Sequence, residues 1–150
     1  MLNEDIRAYI EMYGPDGLMT PGSAAITSRK RTCEEQESEE SEMGWIGVDL
    51  DGTLAYYDEW RGVDHIGKPV PAMLDRVKRW VEEGKTVKIF TARASAPDFD
   101  IAVVHEWLKA NGLPELEVTN SKDYAMIRCY DDRSVQVETN TGRLIGAEEE

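Results

Sequence analysis

From Trp45 onward, short apolar runs alternate with stripes of helical spacing. Trp45–Val48 reads as a first strand. Val70, Leu74, Val77 and Val81 mark one face of a helix, with Pro69 and Pro71 near its start and Gly84 past its end. Thr86–Phe90 reads as a second strand. Asp98 is placed to cap a second helix whose apolar face is Ile101, Val104 and Leu108, closed by Gly112 and Pro114. Leu116–Val118 and Met126–Tyr130 read as third and fourth strands, and Val135–Val137 as a fifth. Asn140-Thr141-Gly142 is a turn, with Arg143–Ile145 returning. Such alternation predicts an α/β domain with a largely parallel sheet flanked by helices, in which ligands bind at the carboxyl ends of the strands.

Residues 1–44 follow a different pattern. Ile6, Tyr9, Ile10 and Tyr13 keep helical spacing, with Asn3 as N-cap and Gly14-Pro15 as stop. A stretch rich in Gly, Pro, Ser and Thr follows, then Arg29-Lys30-Arg31. The run from Glu34 to Glu42 has six acids in nine residues and no apolar side chain, which predicts a solvated or disordered linker. The chain thus divides into an N-terminal helix and acidic linker (1–44) and a main domain (45–150), without internal repeats. The basic triplet reads more readily as solvated linker than as a docking signal.

Charge and cysteines narrow the function. The 150 residues include 30 acidic and 17 basic side chains, a formal net charge of −13. That surface repels nucleic-acid backbone at long range and argues against stable nucleic-acid binding. Cys33 and Cys129 lie far apart without a Cys/His cluster, so a zinc site is not expected and a reducing compartment is. Cys129, inside an apolar strand, is expected in the core. The first residues lack the apolar stretch of a signal peptide, and no apolar run approaches the roughly 20 residues that span a bilayer. A soluble, cytoplasmic protein is the expectation; the sequence does not specify its oligomeric state.

The chemistry concentrates at Asp49-Leu50-Asp51-Gly52-Thr53, directly after the first strand. Side chains alternate along a strand, so Asp49 and Asp51 leave it on the same side and can share one metal or one substrate. Gly52 lets the chain turn away sharply. Two carboxylates this close repel unless a cation lies between them. Further strand ends carry polar groups: Thr91-Ala92-Arg93 after the second, Lys122 after the third, and Asp131-Asp132 after the fourth.

These four stretches, in this order, resemble the four motifs of the haloacid dehalogenase-like (HAD) superfamily over about residues 45–145. The resemblance implies a Rossmann-like sheet and a Mg²⁺-dependent phosphomonoester hydrolase working through an aspartyl-phosphate. Asp49 would be the nucleophile, Asp51 the acid/base, Thr91 a phosphate-orienting hydroxyl and Lys122 the charge-balancing lysine, with Arg128 as its competitor. Mg²⁺ would be held by Asp49, the Asp51 backbone carbonyl and the Asp131-Asp132 pair. Alternation favours Asp132 as direct ligand and Asp131 behind it, and oxygen-only ligands suit Mg²⁺. Gly52, Thr53, Ala92, Arg93, Tyr56 and Trp60 complete the expected substrate-binding set. Arg93 reads equally as a phosphate contact or an exposed ion-pairing residue, and the aromatics of Tyr56–Trp60 as stacking groups or as packing of the flap.

Thr53 to Val70 leaves room only for a short flap, so the chain looks capless and similar to the polynucleotide 3′-phosphatase-like branch. Its expected partner is a phosphorylated substrate: a polynucleotide end, a nucleotide or another phosphomonoester. Transfer to an alcohol acceptor and a non-catalytic binding module on the same fold are the alternatives. His65 and His105 have no partner pattern, and His105 reads as structural.

Overall fold

A computed structural model describes residues 43–146. The amphipathic helix, basic triplet and acidic run expected in the N-terminal segment lie outside the described residues. The elements run in the order β1 (Trp45–Val48), α1 (Pro71–Glu82), β2 (Thr86–Phe90), a 3₁₀ turn (Ala92–Ser95), α2 (Ile101–Ala110), β3 (Glu117–Thr119), β4 (Met126–Tyr130), β5 (Gln136–Val137) and β6 (Leu144–Ile145). Strands β3-β2-β1-β4 form a sheet in which every pairing is parallel. β5 and β6 pair antiparallel around the predicted turn, where Asn140 and Gly142 adopt positive φ.

The four residues of β1 are all buried, as a central parallel strand requires. The register aligns Ile46 with Val87 and Val48 with Ile89, so these four share one face. They belong to the same apolar core as Val77 and Trp80 of α1 and Val104 and Leu108 of α2. Both helices therefore pack on one face of the sheet. Handedness gives the reason: β1-α1-β2 and β2-α2-β3 step in the same direction, and right-handed crossovers then put both helices on one side.

The same register explains Cys129. It pairs with Gly47, on the face turned away from the helices, and β4 is an edge strand. The thiol is exposed, not in the core as its apolar neighbours suggested.

Of the two helix starts, one matches expectation and one differs. α1 begins at Pro71, whose missing N–H falls where no helical partner exists, and Val70 is its N-cap. Its buried stripe is Met73, Val77 and Trp80, with Leu74 and Val81 at the margin. The N-cap of α2 is Asp100 and not Asp98: its carboxylate accepts from the Ala102 N–H at 2.9 Å. Asp100→Ala is expected to cost about 1 kcal/mol, and Asp98→Ala to stay within about 0.5. Urea unfolding of the two variants checks this. His105 accepts its structural assignment, with Nε2 3.0 Å from the Leu116 carbonyl oxygen. Among the described residues, no helix is long and apolar enough to cross a membrane.

Candidate active site

Parallel strands deliver their successor residues to one edge of a sheet. Here Asp49 follows β1, Thr91 follows β2, Asn120 follows β3 and Asp131 follows β4. All four line one cavity of about 410 Å³, together with Asp51, Trp60, Arg93 and Arg133. Strand geometry alone thus assembles residues spread over some eighty positions.

Asp49 and Asp131 of this cavity belong to a cluster of three carboxylates completed by Asp132, which lines a neighbouring cavity. One oxygen each from Asp49, Asp131 and Asp132 lies within 4.8 Å of the others. Asp132 is held by Thr53: the Thr53 hydroxyl donates to its Oδ1 at 3.2 Å, and the Asp132 N–H donates to Thr53 Oγ1 at 3.0 Å. Asp131 Oδ1 accepts from the Arg133 N–H at 2.7 Å. Alternation predicted one aspartate toward the site and one behind it. Instead both reach the cluster, because the chain has left the strand and bends at these residues. Gly52, at φ +95°, packs so closely on the Asp132 carboxylate that a Cβ would lie 2.6 Å from Oδ2.

Burial, followed by the charge of Asp131, raises the Asp49 carboxyl from 3.8 to about 7; a hydrogen bond from the Leu50 N–H works against the rise, and Asp132 and Asp51 add to it. Crowded oxygen donors of this kind fit a hard divalent cation. The carboxylate of Asp51 is not in that cluster, contrary to the idea that Asp49 and Asp51 share one metal through their side chains.

Asp51 faces Arg93 instead. The Arg93 Nε donates to Asp51 Oδ2 at 2.6 Å and Nη2 to Oδ1 at 2.7 Å. Arg93 is 5 % exposed, so it is neither an exposed ion-pairing residue nor a free phosphate ligand. Trp60 covers it, with the guanidinium carbon 5.0 Å from the ring centroid. Thr91 is buried, and its Oγ1 accepts from the Arg93 N–H at 3.2 Å, capping the 3₁₀ turn. It therefore combines the cap role and a place on the cavity wall; Ala92 follows it there.

The flap over the site spans residues 56–68. Its base is closed by Tyr56 N–H donating to Lys68 O and Val70 N–H to Leu54 O, and Trp107 Nε1 ties the Gly67 carbonyl to α2 at 2.8 Å. Tyr56 and Trp60 are 65 % and 54 % exposed, so only part of Trp60 is in contact, the ring face that meets Arg93; Trp60 and Tyr57 line the cavity and Tyr56 does not.

Lys122 is exposed and does not line the cavity. Burial, followed by the charges of Asp131 and Asp49, raises the Cys129 thiol, and the charge of Lys122 works against that rise. Arg133 and Asn120 take the positions on the wall. Arg133 was legible only as one more residue after a strand-end acid pair. Arg128, the competitor to Lys122, is exposed along a second cavity behind Asp132.

No protein-family model matches the chain, and no curated protein does. Among solved structures, a conserved protein of Bacteroides thetaiotaomicron is similar at TM-score 0.46, with 21 % identity, over 61 % of this chain and 77 % of that chain.

Proposed function

We propose that this chain is a Mg²⁺-dependent phosphomonoester hydrolase of the haloacid dehalogenase-like type, acting through an aspartyl-phosphate on Asp49. The observation that carries the reading is the crowding of Asp49, Asp131 and Asp132 at the carboxyl edge of a parallel sheet, with Asp49 and Asp131 lining the same cavity as Thr91. Asp49, Asp131 and Asp132 would hold the cation. When bound, it supplies positive charge against the carboxylates and the phosphoryl oxygens.

In this reading Asp49 attacks phosphorus and the ester P–O bond breaks. Asp51 gives a proton to the leaving oxygen and then takes one from the water that attacks the acyl-phosphate, which releases inorganic phosphate and restores Asp49. The Thr91 hydroxyl and backbone at the start of the 3₁₀ turn orient the phosphoryl oxygens. Beside Arg93, whose donors are committed, Arg133 offers a second cationic side chain on the cavity wall, and Lys122 lies outside that lining.

The test is phosphate release from a panel of phosphomonoesters: 3′- and 5′-phosphorylated oligonucleotides, nucleotides, sugar phosphates and a phosphopeptide. Release in Mg²⁺ is expected to fall about a hundredfold or more with chelator. No release from any ester, by a folded sample that binds Mg²⁺, overturns the reading in favour of a binding module. Added alcohols that become phosphorylated would identify a transferase instead.

A further inference from the structure

We infer that Arg93 is a positioning residue that locks the flap to the acid/base aspartate, so that flap closure and the orientation of Asp51 are one event. The inference rests on the hydrolase reading for its kinetic consequence, but not for its geometry.

A guanidinium has five N–H donors in a fixed plane. Nε and one Nη2 hydrogen go to the two oxygens of Asp51. The other Nη2 hydrogen goes to the His65 carbonyl at 2.6 Å. The two on Nη1 go to the Val63 carbonyl at 2.8 Å and, more weakly, to that of Gly62 at 3.4 Å. Every donor is therefore committed within the protein, and none is left for a substrate oxygen.

The partners fall into two groups. Asp51 belongs to the turn after β1, and Gly62, Val63 and His65 belong to the distal half of the flap. Trp60, from the flap tip, closes over the guanidinium face. The flap tip adds its own brace, with Arg61 donating to Asp58 at 2.8 Å and to Glu59 at 3.2 Å. Gly62, at φ +110°, turns the chain at the start of the stretch whose Gly62, Val63 and His65 carbonyls meet Arg93. Arg93 itself is anchored through the 3₁₀ turn that Thr91 caps. A lysine has three donors on a single centre and cannot span two oxygens of Asp51 and three carbonyls.

The test uses the full chain as wild type, Arg93→Ala, Arg93→Lys and Trp60→Ala, the last being exposed enough to leave folding intact. Amide hydrogen exchange is compared between the flap, residues 57–67, and the sheet strands β1 and β2. Both Arg93 variants are expected to exchange at least tenfold faster in the flap with the strands unchanged, and Trp60→Ala to shift the flap in the same direction by less. Phosphate release should show a kcat at least tenfold lower in both Arg93 variants, with KM within about threefold of wild type. Added guanidinium ion should restore part of kcat to Arg93→Ala but not to Arg93→Lys.

Unchanged flap exchange in every variant overturns the inference, whatever the activity. So does a rise in KM at constant kcat, which would make Arg93 a substrate ligand. A wild type without phosphatase activity whose flap still loosens in the Arg93 variants keeps the lock and removes the hydrolase reading alone.

Discussion

Asp49→Asn is expected to abolish phosphate release while making the metal-free protein more stable. The two effects share a cause. On the proposed mechanism Asp49 is ionised to attack phosphorus, and the amide lacks the nucleophilic oxygen charge, so a loss of about a thousandfold or more is expected. The same ionised carboxylate is disfavoured by burial and by Asp131, which raises its native-state value to about 7. In the unfolded chain it titrates near 3.9. The native state thus binds this proton more tightly than the unfolded state does. The contribution of Asp49 is neutral below about pH 4, becomes destabilising as pH rises toward 7, and is constant above that.

Without solvent screening a rise of this size would cost about 4 kcal/mol. Asp49 is only partly buried, and solvent screening brings it to roughly 1–2 kcal/mol. Thermal unfolding in chelator from pH 4 to 8 checks the prediction: the wild type should lose stability across that interval more steeply than Asp49→Asn. Adding Mg²⁺ at pH 7.5 should raise the wild-type midpoint by ligand linkage and move the variant much less. A variant that is less stable than wild type at pH 7.5 in chelator would contradict the repulsive cluster.

Gly67→Ala is expected to be among the most destabilising single-methyl additions in the described domain. A Cβ at Gly67 would run into the Tyr56 carbonyl oxygen. That carbonyl is backbone, fixed where Tyr56 and Lys68 pair and where Ala55 bridges Pro69, so no side chain can yield. The flap base has to open, and the hydrogen bond from Trp107 to the Gly67 carbonyl is lost with it. Strain and the lost contacts suggest about 2–4 kcal/mol, or a fall in Tm of roughly 10–20 °C for a domain of this size. Gly84→Ala is the control. Gly84 has φ +78° with open space around it, so only the left-handed conformation is penalised, by about 1–2 kcal/mol. Equal losses at the two positions would show that the Tyr56 carbonyl moves freely and that the flap base is not rigid.

Much of this was legible in the residues. β1, β2 and β4 fall where apolar runs end in polar groups, and their bounds match expectation; β1, the central strand, is buried throughout, whereas the edge strand β4 was legible from its apolar run alone. Asp49, Thr91 and Asp131 could be placed at one edge of the sheet because each follows such a run. Periodicity was less reliable at the margins. The stripe of α1 turned by one position toward Met73 and Trp80, because several apolar residues on that helix compete for the same core. Asp98 and Asp100 both suit an N-cap, and only the direction of the chain entering α2 chooses between them.

What the sequence by itself determined is the α/β alternation, the parallel sheet and the identity of the acids that end its strands, since these follow from local spacing and strand alternation. Tertiary structure decided the rest. Side-chain parity across strands depends on register, which put Cys129 on the face away from the helices. Crossover direction put both helices on one face. Asp51 and Arg93 stand forty-two positions apart, and only the folded flap shows that the arginine spends its five donors on holding that aspartate and three carbonyls. Lys122 lost its expected place on the cavity wall to Arg133 and Asn120 in the same way. The aim of a long side chain leaving a loop is set by what packs around it, which spacing along the chain does not encode.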